Sequence, residues 1–282
     1  MKIFIIALLF VLITAIILIV YTMQREHEFK SHNSDIQTTS VHGAAYAIDL
    51  QLQNKHRHVR LFLDEYSRLF NRLYHNAADE ITLNSISKRL QQRFPDFYTF
   101  TITDSNGGPT LLDVESLVGE TCQRDLGNFA SNIKRNRGQL QNKVFVHPKP
   151  FHYHYDIMAP LHADGSIFFT SFYLNDIIDI LKTHELPGQT LMLVRRSDPD
   201  LIEVTSEGAR DKLSRDIRLT PSERNRIVIY KDVAASDWRL VNLPDAYFEK
   251  QYLYALWKEV VIILSIVILA LFLMIFVLFR RS

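Results

Sequence analysis

The chain has almost no cysteine, little tryptophan and almost no net charge. Of its 282 residues one is a cysteine, Cys122, and two are tryptophans. A single thiol forms no intramolecular disulfide, so an oxidising compartment would not staple this fold, and the core must be an ordinary apolar one. A formal charge of +1 supplies no basic surface for nucleic acid. There is no Gly-x-Ser-x-Gly elbow, Walker loop, kinase signature, His-Glu-x-x-His pair or cysteine pair. Gly107-Gly108 lies in a turn signal rather than a phosphate cradle. Cys122 has no activating neighbour except Arg124 and reads as a small buried residue. The sequence therefore predicts no enzyme, no cofactor and no metal.

What the chain has in abundance is apolar sequence at its two ends. Ile3 to Val20 is apolar except for Thr14, and Val260 to Phe279 is apolar except for Ser265. A helix rises about 1.5 Å per residue, so roughly 20 residues span the hydrocarbon of a bilayer. Both runs meet that length. The first is followed by Tyr21, Thr22, Met23, Gln24 and Arg25, too bulky for a signal-peptidase site, and so reads as an uncleaved anchor. Lys2 precedes the first run and Arg280-Arg281 follow the second. Basic short flanks face the cytoplasm. The sequence thus predicts a two-pass protein of a bacterial inner membrane with its central domain periplasmic or extracellular.

Between the spans, a polar stretch, Gln24 to Asn33, leads into a heptad seam. Val41, Ala45, Ile48, Leu52, Lys55, Val59, Phe62, Tyr66, Leu69 and Leu73 alternate in steps of four and three over about four heptads. One helix is predicted from Ile36 to Asn76. Its seam packs on the chain's own domain or forms a homodimer stalk, or the helix does both on different faces. A second helix, Thr82 to Phe94, ends before Pro95. Strands follow at Asp96 to Thr103 and Thr110 to Val114, around the turn Asp104-Ser105-Asn106-Gly107-Gly108. A helix is expected at Arg124 to Arg135, then strands at Gln141 to Val146, His152 to Leu161 and Ser166 to Tyr173, the last two joined by His162-Ala163-Asp164-Gly165. A short helix fits Leu174 to Thr183. Beyond Pro187-Gly188 come a strand pair, Thr190 to Arg195 and Leu201 to Thr205, around Asp198-Pro199. Short helices fit Glu207 to Arg215 and Pro221 to Arg226. Strands fit Ile227 to Tyr230 and Trp238 to Leu243, and a helix runs from Phe248 into the second span. The fold class is α+β: a long N-terminal helix and antiparallel sheets between two membrane helices. The expected divisions are 1–23, first span; 34–186, long helix and first module; 187–257, a smaller membrane-proximal module; 258–282, second span and tail.

The order of these pieces resembles the extracytoplasmic Cache sensor family, with its PAS-like antiparallel sheets, possibly of the double Cache type. The resemblance is carried by "FTITDSNGGPTLLDVESLVGE", "YDIMAPLHADGSIFFTSFYLNDIIDIL" and "DWRLVNLPDAYF", and covers about Ile36 to Trp257 as an order of elements. In a strand, His152, His154 and Asp156 share one face, and Tyr153 and Tyr155 the other. Imidazoles and a carboxylate on one face suit zinc or copper, but strand neighbours at this spacing lie about 7 Å apart. The resemblance instead implies that this strand lines a small-molecule pocket. In the amino-acid-binding branch an aromatic-x-Asp pair and an Arg grip the ligand. His154-Tyr155-Asp156 stands where that pair would be, with His in place of Tyr, and Arg124 where the carboxylate clamp would be. The Trp expected near the Arg is absent. An ordinary Asp156–Arg124 pair is the bland alternative. The expected ligand-binding set is Arg124, His154, Asp156 and Tyr173.

On this reading the chain is a membrane-anchored periplasmic ligand-sensing module. Its ligand is small and polar or zwitterionic. With no output domain before Ser282, its signal would pass through the membrane helices to a separate cytoplasmic or membrane output protein. The alternative is a two-span envelope structural or assembly protein whose external domain binds another protein.

Overall fold

The computed structural model describes residues 2–111, 126–131, 135, 144–146, 153–162 and 164–281. It is an α+β protein. Helix α1, Lys2–Glu65, runs unbroken from the first apolar run through the polar stretch Gln24 to Asn33, whereas the long helix was expected only from Ile36. That stretch has neither proline nor glycine, and its ends are pinned by i,i+4 pairs such as Lys30–Glu26 at 2.7 Å. The predicted single helix to Asn76 is interrupted at Tyr66 (φ −106°, ψ 22°), beyond which α2, Ser67–His75, continues. The helix α3, Glu80–Arg93, is capped by Asp79, whose carboxylate accepts from the Thr82 amide at 3.0 Å. α1 and the final helix both contain stretches long and apolar enough to cross a membrane.

One compact unit comprises residues 1–39, 186–189 and 244–282. In it, the Phe29 and Tyr252 rings stack 3.8 Å apart, and Lys30 pairs with Glu249 at 3.6 Å. Gly188 is at φ +78°, and a β-carbon there would collide with the Phe248 ring, so no other residue fits this turn.

The second unit, residues 40–185 and 190–243, contains two four-stranded sheets among the described residues. In the first, β1 (Phe97–Ile102), β2 (Val144–Val146), β3 (Tyr155–Pro160) and β4 (Ile167–Phe172) lie in the order β1-β4-β3-β2, paired antiparallel. The Thr110 amide donates to the Ile102 carbonyl at 3.0 Å, so the expected return strand begins along the free edge of β1; residues 112–114 lie outside the described ones. One face of this sheet, with Phe100, Ile102, Tyr155, Ile157, Phe168 and Phe172, is buried. Phe70 of α2 meets Phe168 edge-on at 5.1 Å, and Phe94 meets Phe172 at 5.5 Å. The seam residues Val41, Ala45, Ile48, Leu52, Val59, Phe62 and Leu73 belong to the same core. The seam packs on the chain's own domain.

Helix α4, Asn175–His184, leads to the second sheet: β5 (Gln189–Arg195), β6 (Asp198–Thr205), β7 (Tyr230–Asp232) and β8 (Trp238–Pro244), in the order β6-β5-β8-β7. Three local expectations shift. The turn between β5 and β6 falls at residues 196–197, and Asp198-Pro199 opens β6, an edge strand where a missing amide donor is tolerated. The helix expected at Glu207 to Arg215 shortens to one 3-10 turn, Arg210–Lys212. The strand expected at Ile227 to Tyr230 pairs three residues later, because Tyr230 to Asp232 face Val241 to Arg239 in register. Between these elements α5, Pro221–Arg224, is held by a capping box of Thr220 and Glu223.

Candidate ligand site

The two faces of the first sheet differ in chemistry. On the face away from α2, Asp156 of β3 is directly opposite Ser171 of β4, and Met158 opposite Phe169. Asp156 is wholly buried. Its Oδ1 accepts a hydrogen bond from Ser171 Oγ at 2.6 Å and lies 3.5 Å from His154 Nε2. A buried carboxylate is costly unless it is hydrogen-bonded or paired, and here the Ser171 hydroxyl donates to it and the His154 imidazole lies alongside. The His154 ring lies 5.4 Å from the Tyr98 ring, and Tyr98 lies 5.0 Å from the Tyr173 ring. Burial, and then Tyr173, hold the Tyr98 phenol above its ordinary pKa. It is a neutral donor at physiological pH.

Of the four residues expected from sequence, His154, Asp156 and Tyr173 are brought into one chain of contacts. Arg124 lies outside the described residues, as do Cys122, His147 and His152. Tyr98 and Ser171 belong to the cluster and were not expected. Ser171 had a signal: with Thr170 it is the polar pair in an otherwise apolar strand, Ile167–Phe172. Tyr98 had none, because a register shift between Phe97 and Thr99 decides where its ring points. Among the described residues no group of three His, Cys, Asp or Glu side chains sits close enough to hold a metal. Two phenols, a hydroxyl, an imidazole and a buried carboxylate thus meet in one polar, aromatic cluster. That chemistry suits a ligand that brings hydrogen-bond donors or positive charge.

A second polar cluster lies toward α1. Lys55 interrupts the apolar seam, and its ammonium pairs with Asp96 at 2.5 Å and Asp176 at 3.3 Å. It also lies over the Phe172 and Phe94 rings at 5.1 and 5.8 Å. Burial raises the Asp96 carboxyl above the usual carboxylate range, and Lys55 opposes that rise. The seam's one charged position is thus a pin between α1, the start of β1 and the first turn of α4.

No family model and no curated protein matches the chain. Solved structures do resemble it. One is the extracellular domain of a protein named as a histidine kinase, rpHK1S-Z16, with a TM-score of 0.49 at 13% identity over 78% of this chain and 97% of that one. Another is a domain of a protein named as a sensory box/GGDEF family member from Vibrio parahaemolyticus, with a TM-score of 0.42 at 9% identity over 75% of this chain and 97% of that one. A third is an extracellular ligand binding receptor from Desulfohalobium retbaense, with a TM-score of 0.35 at 11% identity, covering 78% of this chain and 39% of the receptor.

Proposed function

We propose that this chain is a non-enzymatic, membrane-anchored ligand sensor of the Cache type. Its domain faces the periplasm or the exterior, and its two membrane helices carry the signal to a cytoplasmic or membrane output partner. The observation that carries the reading is Asp156: a fully buried carboxylate, held by Ser171 and His154 on the polar face of an otherwise apolar sheet. A protein that needed this face only for stability would be served by aliphatic residues. The ligand is a small polar molecule with an amine or ammonium group. Asp156 receives that group, the Tyr98 and Tyr173 rings flank it, and Arg124 receives a carboxylate where the ligand is zwitterionic.

A second copy of the chain would sit on the outer side of α1. The inner seam is committed to the domain's own core, whereas Tyr46, Leu50 and Leu61 on the outer side are 70%, 44% and 51% exposed. A shallow groove there is lined by Leu50, Asn54, Arg57, Leu61 and Asp64.

The test is thermal melting of the full chain in lipid nanodiscs against a panel of small amines, amino acids and neutral polyols. A ligand at 100 times its dissociation constant stabilises by about 2.7 kcal/mol, which is about 5 to 10 °C for a domain of this size. At least one amine-bearing compound should give that rise in wild type and not in Asp156→Asn.

A further inference from the structure

We propose that Tyr153 is the latch that couples the candidate ligand site to the second sheet. Successive residues of an extended strand point to opposite faces. Entering β3, His154 and Asp156 face the site, whereas Tyr153 and Tyr155 face the other way. Tyr155 meets Trp238 of β8 edge-on at 6.4 Å, an apolar contact. Tyr153 is held quite differently. Its hydroxyl donates to the carboxylate of Glu203 on β6. The Arg210 guanidinium lies 4.8 Å over its ring. Its backbone amide points to Asp211 Oδ2 at 3.5 Å. Hydroxyl, ring and amide are thus each engaged by β6 or the 3-10 turn that follows it.

Glu203 makes the grip stiff. It is wholly buried and also accepts from Arg195 Nε at 2.9 Å and pairs with Arg210 at 3.5 Å. A buried carboxylate that loses one partner keeps most of its desolvation cost, so the network holds its geometry or rearranges as a whole. Burial, followed by Glu203, keeps the Tyr153 phenol well above its ordinary pKa, so the hydroxyl stays a donor. Tyr153 is a positioning residue: it touches the network on one side and is covalently joined to His154 on the other. Any shift of His154 and Asp156 is felt at Glu203, and any rearrangement of the β6 network is felt at the site, because coupling between two sites is reciprocal. This rests on the ligand reading only in naming His154 and Asp156 as the input.

The experiment needs no ligand. Amide hydrogen exchange is measured on the full chain in nanodiscs, with the site perturbed by Asp156→Asn and, more mildly, by Ser171→Ala. Each should change exchange in Asp198–Thr205 by about ten-fold, a typical coupling. Adding Tyr153→Phe, which keeps the ring under Arg210 and removes the hydroxyl, should reduce that transmitted change to less than about two-fold. If Asp156→Asn does not fold, Ser171→Ala decides alone. A transmitted change of the same size with or without the hydroxyl overturns the latch, as does no change in β6 from a folded site variant. Loss of the ligand reading would appear separately, as a melting screen without a stabiliser while the hydroxyl-dependent transmission persists.

Discussion

The two sheets use related strand orders for opposite ends. In each, the first strand of the module lies beside its last: β1 beside β4, and β5 beside β8. The first sheet keeps an apolar face for the helices and gives the other face Asp156, Ser171 and Thr101, all buried. The second has aliphatic residues on both sides of its central strands, but it too buries polar groups, Glu203 of β6 and Asn242 of β8. Leu191, Leu193 and Leu240 join the main core, and Met192, Val194, Ile202, Val241 and Leu243 form a small core of their own with Leu219. Buried polar groups cost stability unless they are satisfied. Among the described residues the two buried carboxylates are held differently: Glu203 by two guanidinium groups, Arg195 and Arg210, and Asp156 by a hydroxyl and an imidazole, which is why the proposed ligand charge is assigned to Asp156.

The largest expected effect tests what the sheets share. Leu52→Asp puts a charge into the core beneath the first sheet and should abolish cooperative unfolding, since an unpaired buried charge costs several kcal/mol. Leu50→Asp, on the exposed side of the same helix, should change stability by less than about 0.5 kcal/mol. Next, Phe168→Ala in the first sheet and Leu193→Ala in the second should each cost about 2 to 5 kcal/mol by urea denaturation. A cost below about 1 kcal/mol at Leu193 would mean that the second sheet is not packed into the core as described. A smaller effect separates the two sides of α1. Cysteine at Leu50 should cross-link between chains in membranes and cysteine at Leu52 should not; cross-linking at Leu52 alone would reverse the assignment of faces.

The smallest effect is a pH slope. His56 of α1 is buried, and burial, then Arg60, lower its pKa from 6.5, with the Met158 backbone acting in the opposite sense. The folded state therefore binds fewer protons than the unfolded one between the lowered value and 6.5. Stability is fully present above 6.5 and falls as pH drops through that window. His56→Gln should flatten the loss of melting temperature between about pH 7 and pH 5 relative to wild type. An unchanged slope would place His56 in contact with solvent.

Much of this was legible from periodicity. The seam from Val41 to Leu73, the hairpin around Asp164-Gly165 and the aromatic strand at Ile167–Phe172 follow directly from apolar spacing and turn chemistry. The break at Tyr66 was not, because Tyr66 itself fits the seam and only its backbone leaves the helical region (φ −106°, ψ 22°). Nor was the role of Lys55, which read as a flaw in the seam. Its partners Asp96 and Asp176 are distant in sequence, and only folding brings them together. The same holds for the site. His154 and Asp156 announce themselves by alternation, whereas Tyr98 depends on a bulge and Glu203 on a neighbouring sheet, which no local pattern encodes.

The central claim is that the polar face of the first sheet binds a ligand through Asp156. The most direct measurement is the melting temperature of the full chain in nanodiscs with and without amine-bearing compounds, for wild type and Asp156→Asn. Asparagine keeps an acceptor for Ser171 and removes the charge. The account predicts that a compound raises the wild-type melting temperature by about 5 to 10 °C at saturating concentration. It predicts that Asp156→Asn loses this rise while its unliganded melting temperature stays within about 2 °C of wild type. A sharp fall in the unliganded melting temperature of Asp156→Asn, with any ligand-induced rise preserved, would make Asp156 a structural residue and contradict the claim.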